Sequence, residues 1–306
     1  MAEISAVIVH YRTPAETLRA ARSLADSAPE VDIVVIDNAS GDGIGETLAR
    51  EVPRARVMAE PENRGYGAAC NRGAAETSGA YVLFLNSDAF VRPGAVRALL
   101  SALERDPRAA VVGPRLVNPD GSLQPSISRL PTPWRIFCES SGLAALTGGR
   151  GVFRGHTKTR EDHERAQEVE SLMGAALLVR RTAFEKIGGF DEEFFFYAEE
   201  SDLFARLRHA EWRILYEPGA SVVHLGGASG GDALFGQLHA SLRRYVGKHH
   251  GPRAAQFAGA VLWLGAAVRY LLALLTPGAA GQRRRLRYRA AVGTEKKQIT
   301  RGELEN

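Results

Sequence analysis

Cysteine is scarce in this chain, with only Cys70 and Cys138 among 306 residues. Two thiols build neither a disulfide framework nor a four-thiolate zinc site, and their apolar or mixed surroundings suit a reducing compartment. No basic segment precedes the first apolar run, so no secretory signal is expected, and the expected location is the cytosol. Internal repeats and nucleophile motifs are missing as well. Glycine is absent from Val9-His-Tyr-Arg-Thr-Pro14, straight after that run, where a sugar-phosphate nucleotidyltransferase would carry a Gly-rich phosphate loop.

Positive charge is scarce outside the C-terminal tail. Residues 253–306 hold ten of the 39 Lys and Arg but three of the 35 acids, leaving 29 basic and 32 acidic residues before them. A nucleic-acid binder spreads or stripes its charge through the fold, so no nucleic-acid partner is expected. What the chain does have is apolar material: 45% of residues are hydrophobic. That excludes disorder over most of the length and suits one large α/β domain, alone or with an appendage.

The first third alternates short apolar runs with helical patterns. Strands are expected at Ile4–Val9, Val31–Ile36, Ala55–Ala59 and Tyr81–Leu85, and helices at Pro14–Asp26, near Glu46–Arg50 and at Tyr66–Thr77. Such alternation predicts a parallel sheet covered on both faces. Residues 118–170, with Arg160-Glu-Asp-His-Glu-Arg165, read as a long excursion that orders over substrate. Beyond it, strands are expected at 171–179, Trp212–Tyr216 and Ser221–His224, and helices at Thr182–Lys186 and Glu199–Ala210. Near the end, Phe257–Leu275 is 19 residues with one Arg, at the border of spanning length. Phe257, Val261, Leu264, Val268, Leu271 and Leu275 share one helical face, and Arg283-Arg-Arg-Leu-Arg-Tyr-Arg289 follows. The pair suggests a helix lying in the interface of an anionic membrane; a core helix with a solvated basic end is the plainer alternative.

Several constellations stand just after strands, where ligands bind in open α/β sheets. Asp37-Asn38-Ala39-Ser40 offers an acceptor for a base or ribose, or simply an Asx turn. Gly41-Asp-Gly-Ile-Gly45 lacks the dinucleotide spacing and reads as a flexible turn. Pro61-Glu-Asn-Arg-Gly-Tyr-Gly67 allows close backbone approach to a ligand. Asn86-Ser87-Asp88 aims a carboxylate into the cleft, where a hard cation carrying diphosphate wants few protein oxygens. Glu199, Glu200 and Asp202 open a helix beside Phe194–Tyr197; acids are ordinary in a first turn, yet an apolar wall can raise a carboxyl pKa for base work. His224 ends a strand, and His249-His250 read as surface residues.

In order and spacing, Val-Ile-Val-His-Tyr, Val-Val-Ile-Asp-Asn-Ala-Ser, Glu-Asn-Arg-Gly-Tyr-Gly, Leu-Asn-Ser-Asp, Met-Gly-Ala-Ala-Leu-Leu-Val-Arg-Arg and Gly-Gly-Phe-Asp-Glu…Glu-Glu-Ser-Asp-Leu resemble glycosyltransferase family 2, in its rhamnosyltransferase-like bacterial branch. The resemblance covers roughly residues 4–250. It implies a GT-A fold, a nucleotide-diphosphate sugar donor (dTDP-rhamnose as the best match), a divalent Mg or Mn, and inversion at the anomeric carbon. It implies a nucleotide-sugar-binding half at 1–115 and an acceptor and catalytic half at 116–250; the helical basic tail expected at 251–306 lies beyond it and rests on the apolar and arginine pattern. By position, Asp37 would recognise the nucleoside with Tyr11, Asn63, Arg64 and Gly65. Asn86, Asp88 and Gly174 would line the donor, and Asp88 with His224 would hold the metal. Glu200 falls where the family's base stands, usually as Asp. Its extra methylene shifts the carboxylate by about one bond length, so the acceptor sits differently or Glu199 contributes. A lipid-linked or glycan acceptor and a cytoplasmic site on the inner face of the cell membrane complete the expectation.

Overall fold

The computed structural model describes residues 3–157, 162–226 and 234–293. Its first part follows the expected alternation: β1 (Ile4–His10), α1 (Pro14–Ser27), β2 (Asp32–Asp37), α2 (Ile44–Glu51), β3 (Ala55–Ala59), α3 (Tyr66–Ala75) and β4 (Tyr81–Asn86). β1 is buried along its whole length, because helices cover both faces of the sheet. It pairs in parallel with β2 and β4, and β2 with β3. The register sets His10 opposite Asp37 and Val9 opposite Asn86, so all three strands discharge their next residues at one edge.

The sequence reading named no elements between residues 89 and 117. There the chain forms β5 (Ala89–Val91), α4 (Ala95–Arg105) and β6 (Ala109–Val117). The 115/116 boundary therefore falls inside a strand, and residues on both sides share one sheet. β7 (Leu123–Gln124), β8 (Ile127–Ser128), α5 (Pro133–Ser140), α6 (Leu143–Leu146), β9 (Gln167–Glu168) and β10 (Ser171–Leu172) subdivide the long excursion. Its order comes from the chain itself. Arg135 grips Glu170 through two bonds, at 2.6 and 3.1 Å, and Glu139 receives the His156 amide and the Thr157 hydroxyl. Of its charged run, Arg160 and Glu161 lie outside the described residues.

β11 (Ala176–Arg180), α7 (Arg181–Lys186), α8 (Glu199–His209) and β12 (Arg213–His224) complete the main sheet, in the order β3-β2-β1-β4-β11-β6-β12-β5. The two expected strands at 212–224 are one strand, whose register slips between Glu217 and Ser221. Pro218 and Gly219 stand in that slip, and Pro114 of β6 lies opposite Glu217. Proline has no N–H for the ladder, which accounts for the interruption there. The Arg-Arg pair ending β11 is a staple. Arg180 bonds the carbonyls of Leu103 and Ala109, while Arg181 bonds those of Ala74 and Gly79.

Three helices follow: α9 (Phe235–His250), which the sequence reading did not name, α10 (Pro252–Leu274) and α11 (Gly278–Gly293). Leu242, Tyr245 and Val246 of α9 pack with Phe194, Ile136 and Leu262. α10 buries mainly small residues, Ala258, Gly265, Ala266 and Ala273 among them. The expected apolar face is mostly outward: Phe257, Leu264, Val268, Leu271 and Leu275 are exposed, while Val261 is half-buried against the α9 cluster. By length and composition, this one helix among the described residues could cross a membrane.

The tightest helix-to-sheet contact tests the packing. A Cβ on Gly73 of α3 would collide with the Val7 side chain of β1. Gly73→Ala is expected to cost about 1–3 kcal/mol, the usual penalty of overfilling a core, read as a lower urea midpoint. Val7→Ala makes room, so the double variant should be more stable than the sum of the single losses.

Candidate active site

The parallel register brings Tyr11, Asp37-Asn38 and Ser87-Asp88 to the carboxyl edge of the sheet. β11 runs antiparallel to β4, so its beginning, not its end, lies there: the Asn86 amide donates to Ala175 O at 2.9 Å. Gly174 thus sits at the same edge. β12 delivers His224 to it through pairing with β6 and β5.

Asp88 and His224, distant in sequence, meet there. His224 Nε2 lies 3.3 Å from Asp88 Oδ1, and both side chains are nearly inaccessible. Gln124, which the sequence reading did not single out, determines what that contact means. Its amide nitrogen donates to Asn118 Oδ1 and to the His224 carbonyl, so its oxygen faces His224 Nδ1 at 2.8 Å. Nδ1 therefore donates to Gln124. Nε2 is left facing the Asp88 carboxylate, as a donor where the ring is protonated and as a lone pair where it is not. A divalent ion fits this donor set, and a second partner holding the ligating histidine's other nitrogen is usual in such sites. Among the described residues no three His, Cys, Asp or Glu converge, so an ion held here would leave its remaining positions to water and phosphate.

The loops after β2 and β3 are bound to each other. Buried Asn38 donates to Asn63 Oδ1 at 2.8 Å and to Gly65 O, and its own oxygen accepts the Arg64 amide. Asn63 also receives the Gly65 amide. Asn63 and Asn38 thus spend their amides on shape. Gly65 is required because a side chain would strike the Phe195 backbone, whose carbonyl accepts from Tyr66 N. Asp37 Oδ1 accepts the Ser40 amide, three residues on, at 2.9 Å, and its carboxylate is partly exposed. The Arg64 guanidinium is paired with Glu192, and Tyr11 lies under Arg12. Gly41 and Gly43 adopt left-handed conformations in the turn read from the sequence. Behind the loop, buried His10 bridges Thr17 and Asp42.

The third group opens α8. Tyr197 and Ala198 both hold positive φ, at 68° and 65°, strain of the kind that gathers at functional sites. This bend turns the Glu199 and Glu200 side chains inward, and each leaves one buried carboxyl oxygen without a hydrogen-bond partner. Burial, then the charge of Glu200, pushes the Glu199 carboxyl well up. Burial also raises Glu200. Two such acids side by side, Glu199 buried and Glu200 half-buried, lose protons one at a time, and the raised titration belongs to the pair. A Cβ on Gly174 would lie 3.6 Å from the Glu200 carboxyl, which places this acid across the edge from β4.

Asp202 belongs to another task. Its buried carboxylate takes Arg206, Lys248 and His249, which bolts α8 to α9. Burial opposes its charge, but hydrogen bonds from His249 and Lys248 and the Arg206 charge outweigh it and bring the pKa down to about 2. His249, expected on the surface, is half of this bolt.

Comparison with known proteins agrees with this architecture. Residues 5–188 match the model of Glycosyl transferase family 2, and residues 155–224 one described as the N-terminal domain of galactosyltransferase. N-acetylglucosaminyl-diphospho-decaprenol L-rhamnosyltransferase of Mycobacterium tuberculosis is 37% identical over 224 residues, 68% of this chain and 71% of its own. Pre-mycofactocin glycosyltransferase of the same organism is 30% identical over 71% of this chain and 42% of its own. Among solved structures, the mannosyltransferase PcManGT from Pyrobaculum calidifontis in complex with GDP-Man and Mn2+ superposes with a TM-score of 0.60 at 16% identity, covering 98% of this chain and 88% of that one. GalNAc-T7 with UDP, GalNAc and Mn2+ gives 0.57 at 15% identity, over 94% and 54%. The chain belongs to glycosyltransferase family 2 and is a glycosyltransferase with the GT-A fold.

Proposed function

We propose that the enzyme transfers a sugar, rhamnose from dTDP-rhamnose, to a hydroxyl of a lipid-linked acceptor with inversion at C1. The observation that carries the chemistry is the meeting, at one sheet edge, of the Asp88–His224 pair with the Glu199–Glu200 pair. The relative named for rhamnosyl transfer onto N-acetylglucosaminyl-diphospho-decaprenol supports the choice of sugar and acceptor. The Mn2+ and GDP-Man named with the mannosyltransferase support a divalent metal and a nucleotide-diphosphate donor.

In this reading Asp37 meets the nucleoside, in a loop shaped by Asn38, Asn63 and Gly65, with Tyr11 and Arg64 at its rim. Asn86 and Gly174 flank the donor. Asp88 and His224 Nε2 would hold Mg2+ or Mn2+, which when bound would supply Lewis-acid stabilisation of charge on the diphosphate. Ionised Glu200 removes the acceptor hydroxyl proton. The freed oxygen attacks C1 from the face opposite the diphosphate, and the C1–O bond breaks with its electrons going to the phosphate. Glu199, pushed up by burial and by its neighbour's charge, stays protonated beside the base. The outward stripe of α10 and the arginines of α11 would lay the enzyme on the cytoplasmic face of an anionic membrane.

Asp88→Asn keeps shape but removes the charged ligand, and is expected to abolish metal-dependent donor turnover. Wild-type turnover with the same metal dependence would end that assignment. Glu200→Gln should lower kcat by roughly 10²–10⁴-fold with donor affinity retained. A base must be ionised to accept a proton, so activity should fall as pH drops through the raised Glu200 pKa, on a limb above the ordinary carboxylate range. Glu200→Gln removes that limb; if Glu199→Gln is the crippled variant, the base is Glu199. For the membrane, full-length enzyme should sediment with anionic liposomes at low salt and be released at high salt. Protein that ignores such liposomes would leave α10 as a core helix.

A further inference from the structure

Between α5, α9, α10 and α11 lies a cavity of about 210 Å³ whose polar walls include Glu139, His156, His239, Arg269 and Tyr288. None of these groups takes part in the chemistry described above. Arg269 is the informative one. It donates to two backbone carbonyls, Gly265 O at 3.0 Å and Glu139 O at 3.2 Å, and no carboxylate among the described residues pairs with it. The nearby acid is already committed. The Glu139 carboxylate is bound by the His156 ring, the His156 amide and the Thr157 hydroxyl. Burial works against its charge, yet His156 brings it down to about 2. A second cation stands alongside: the Arg287 guanidinium lies 4.4 Å over the ring of Phe235, another cavity residue. Burial, then the charges of Arg269 and Arg287, drives His239 down to about 4, so at neutral pH it is an uncharged imidazole.

The cavity therefore presents a guanidinium without a counter-charge, a second at its rim, an imidazole and a phenol. Such a set is complementary to a compact anion. Its position narrows the choice. Arg269 stands on α10 between Val268 and Leu271 of the outward apolar stripe. On the other side, Ser241 of α9 donates to Phe196 O at 2.8 Å, and the Arg287 charge reaches Tyr197, two residues before Glu199. An anionic group held here would have an apolar helix on one flank and the segment carrying the acid pair on the other.

We propose that this cavity binds the diphosphate of a lipid-linked acceptor, with the lipid chain lying along the exposed stripe of α10. The assignment rests on the reading of the acceptor as a lipid diphosphate and gives that acceptor a subsite distinct from the donor's.

The test uses full-length enzyme with farnesyl diphosphate, inorganic pyrophosphate and dTDP as calorimetric probes, and acceptor and donor KM as kinetic ones. Farnesyl diphosphate is expected to bind wild type without displacing dTDP. Arg269→Gln and Arg287→Gln should each weaken it by about tenfold or more, leaving dTDP affinity and donor KM unchanged and raising acceptor KM by a similar factor. Arg287 is exposed and makes no structural hydrogen bond among those described, so its variant stays informative even where Arg269→Gln misfolds. Unchanged farnesyl diphosphate affinity in Arg287→Gln would overturn the assignment. So would competition by dTDP, or pyrophosphate binding as tightly as farnesyl diphosphate, since either would point to a nucleotide or free-anion site. Wild type that transfers to a lipid diphosphate while both variants keep its acceptor KM would sink the subsite alone. Wild type with no such transfer would sink the acceptor reading itself.

Discussion

β4 is the strand on which the rest of the molecule hangs. Its residues Tyr81–Leu85 are buried, and it pairs on one side with β1 in parallel and on the other with β11 in antiparallel. A parallel neighbour places its end at the ligand edge, whereas an antiparallel neighbour places its beginning there. That one reversal puts Gly174 beside the end of β4, just before Asp88, and lets the chain after β11 return over the edge carrying Glu199 and Glu200. The arginines closing β11 hold the reversal in place by bonding carbonyls of both flanking connections.

Charge inside this fold is sorted by whether it has a partner. Asp202 and Glu139 are buried acids whose partners outweigh burial, and both bind parts of the structure together. Glu199 and Glu200 are acids next to each other, with buried carboxyl oxygens left over. An unpartnered buried carboxyl destabilises its charged form. Its persistence beside a doubly left-handed bend is what separates these two acids from their neighbours in the same helical turn. Asp88 and His224 differ from both, an acid and an imidazole nitrogen 3.3 Å apart at the ligand edge.

Much of the fold was legible because its physics is local. Strands β1 to β4 announced themselves as short apolar runs between helical patterns, and their ends marked the ligand edge. The stretch 89–117 was not legible. Gly113 and Pro114 interrupt its apolar run, and only the matching slip in β12 makes a strand of it. The helix at 235–250 stayed hidden for a related reason. Its buried face, with Leu242, Tyr245 and Val246, is short and acquires meaning only against Phe194 and Leu262.

In the site, sequence alone named Asp37, Asp88, Glu199, Glu200 and His224, because acids and a histidine just past strand ends and at a helix start follow from chain order. It also placed large apolar residues of the tail on one face, since helical periodicity is a property of the chain by itself. Which residues share a cleft was decided by tertiary structure. Gln124 sets the proton of a histidine 100 positions away, and His249 left the surface to hold Asp202. The stripe on α10 faces outward because the small residues opposite it pack more closely against α5 and α9. Hydrogen-bond partnership and burial depend on approach between distant segments, and no local pattern encodes that approach.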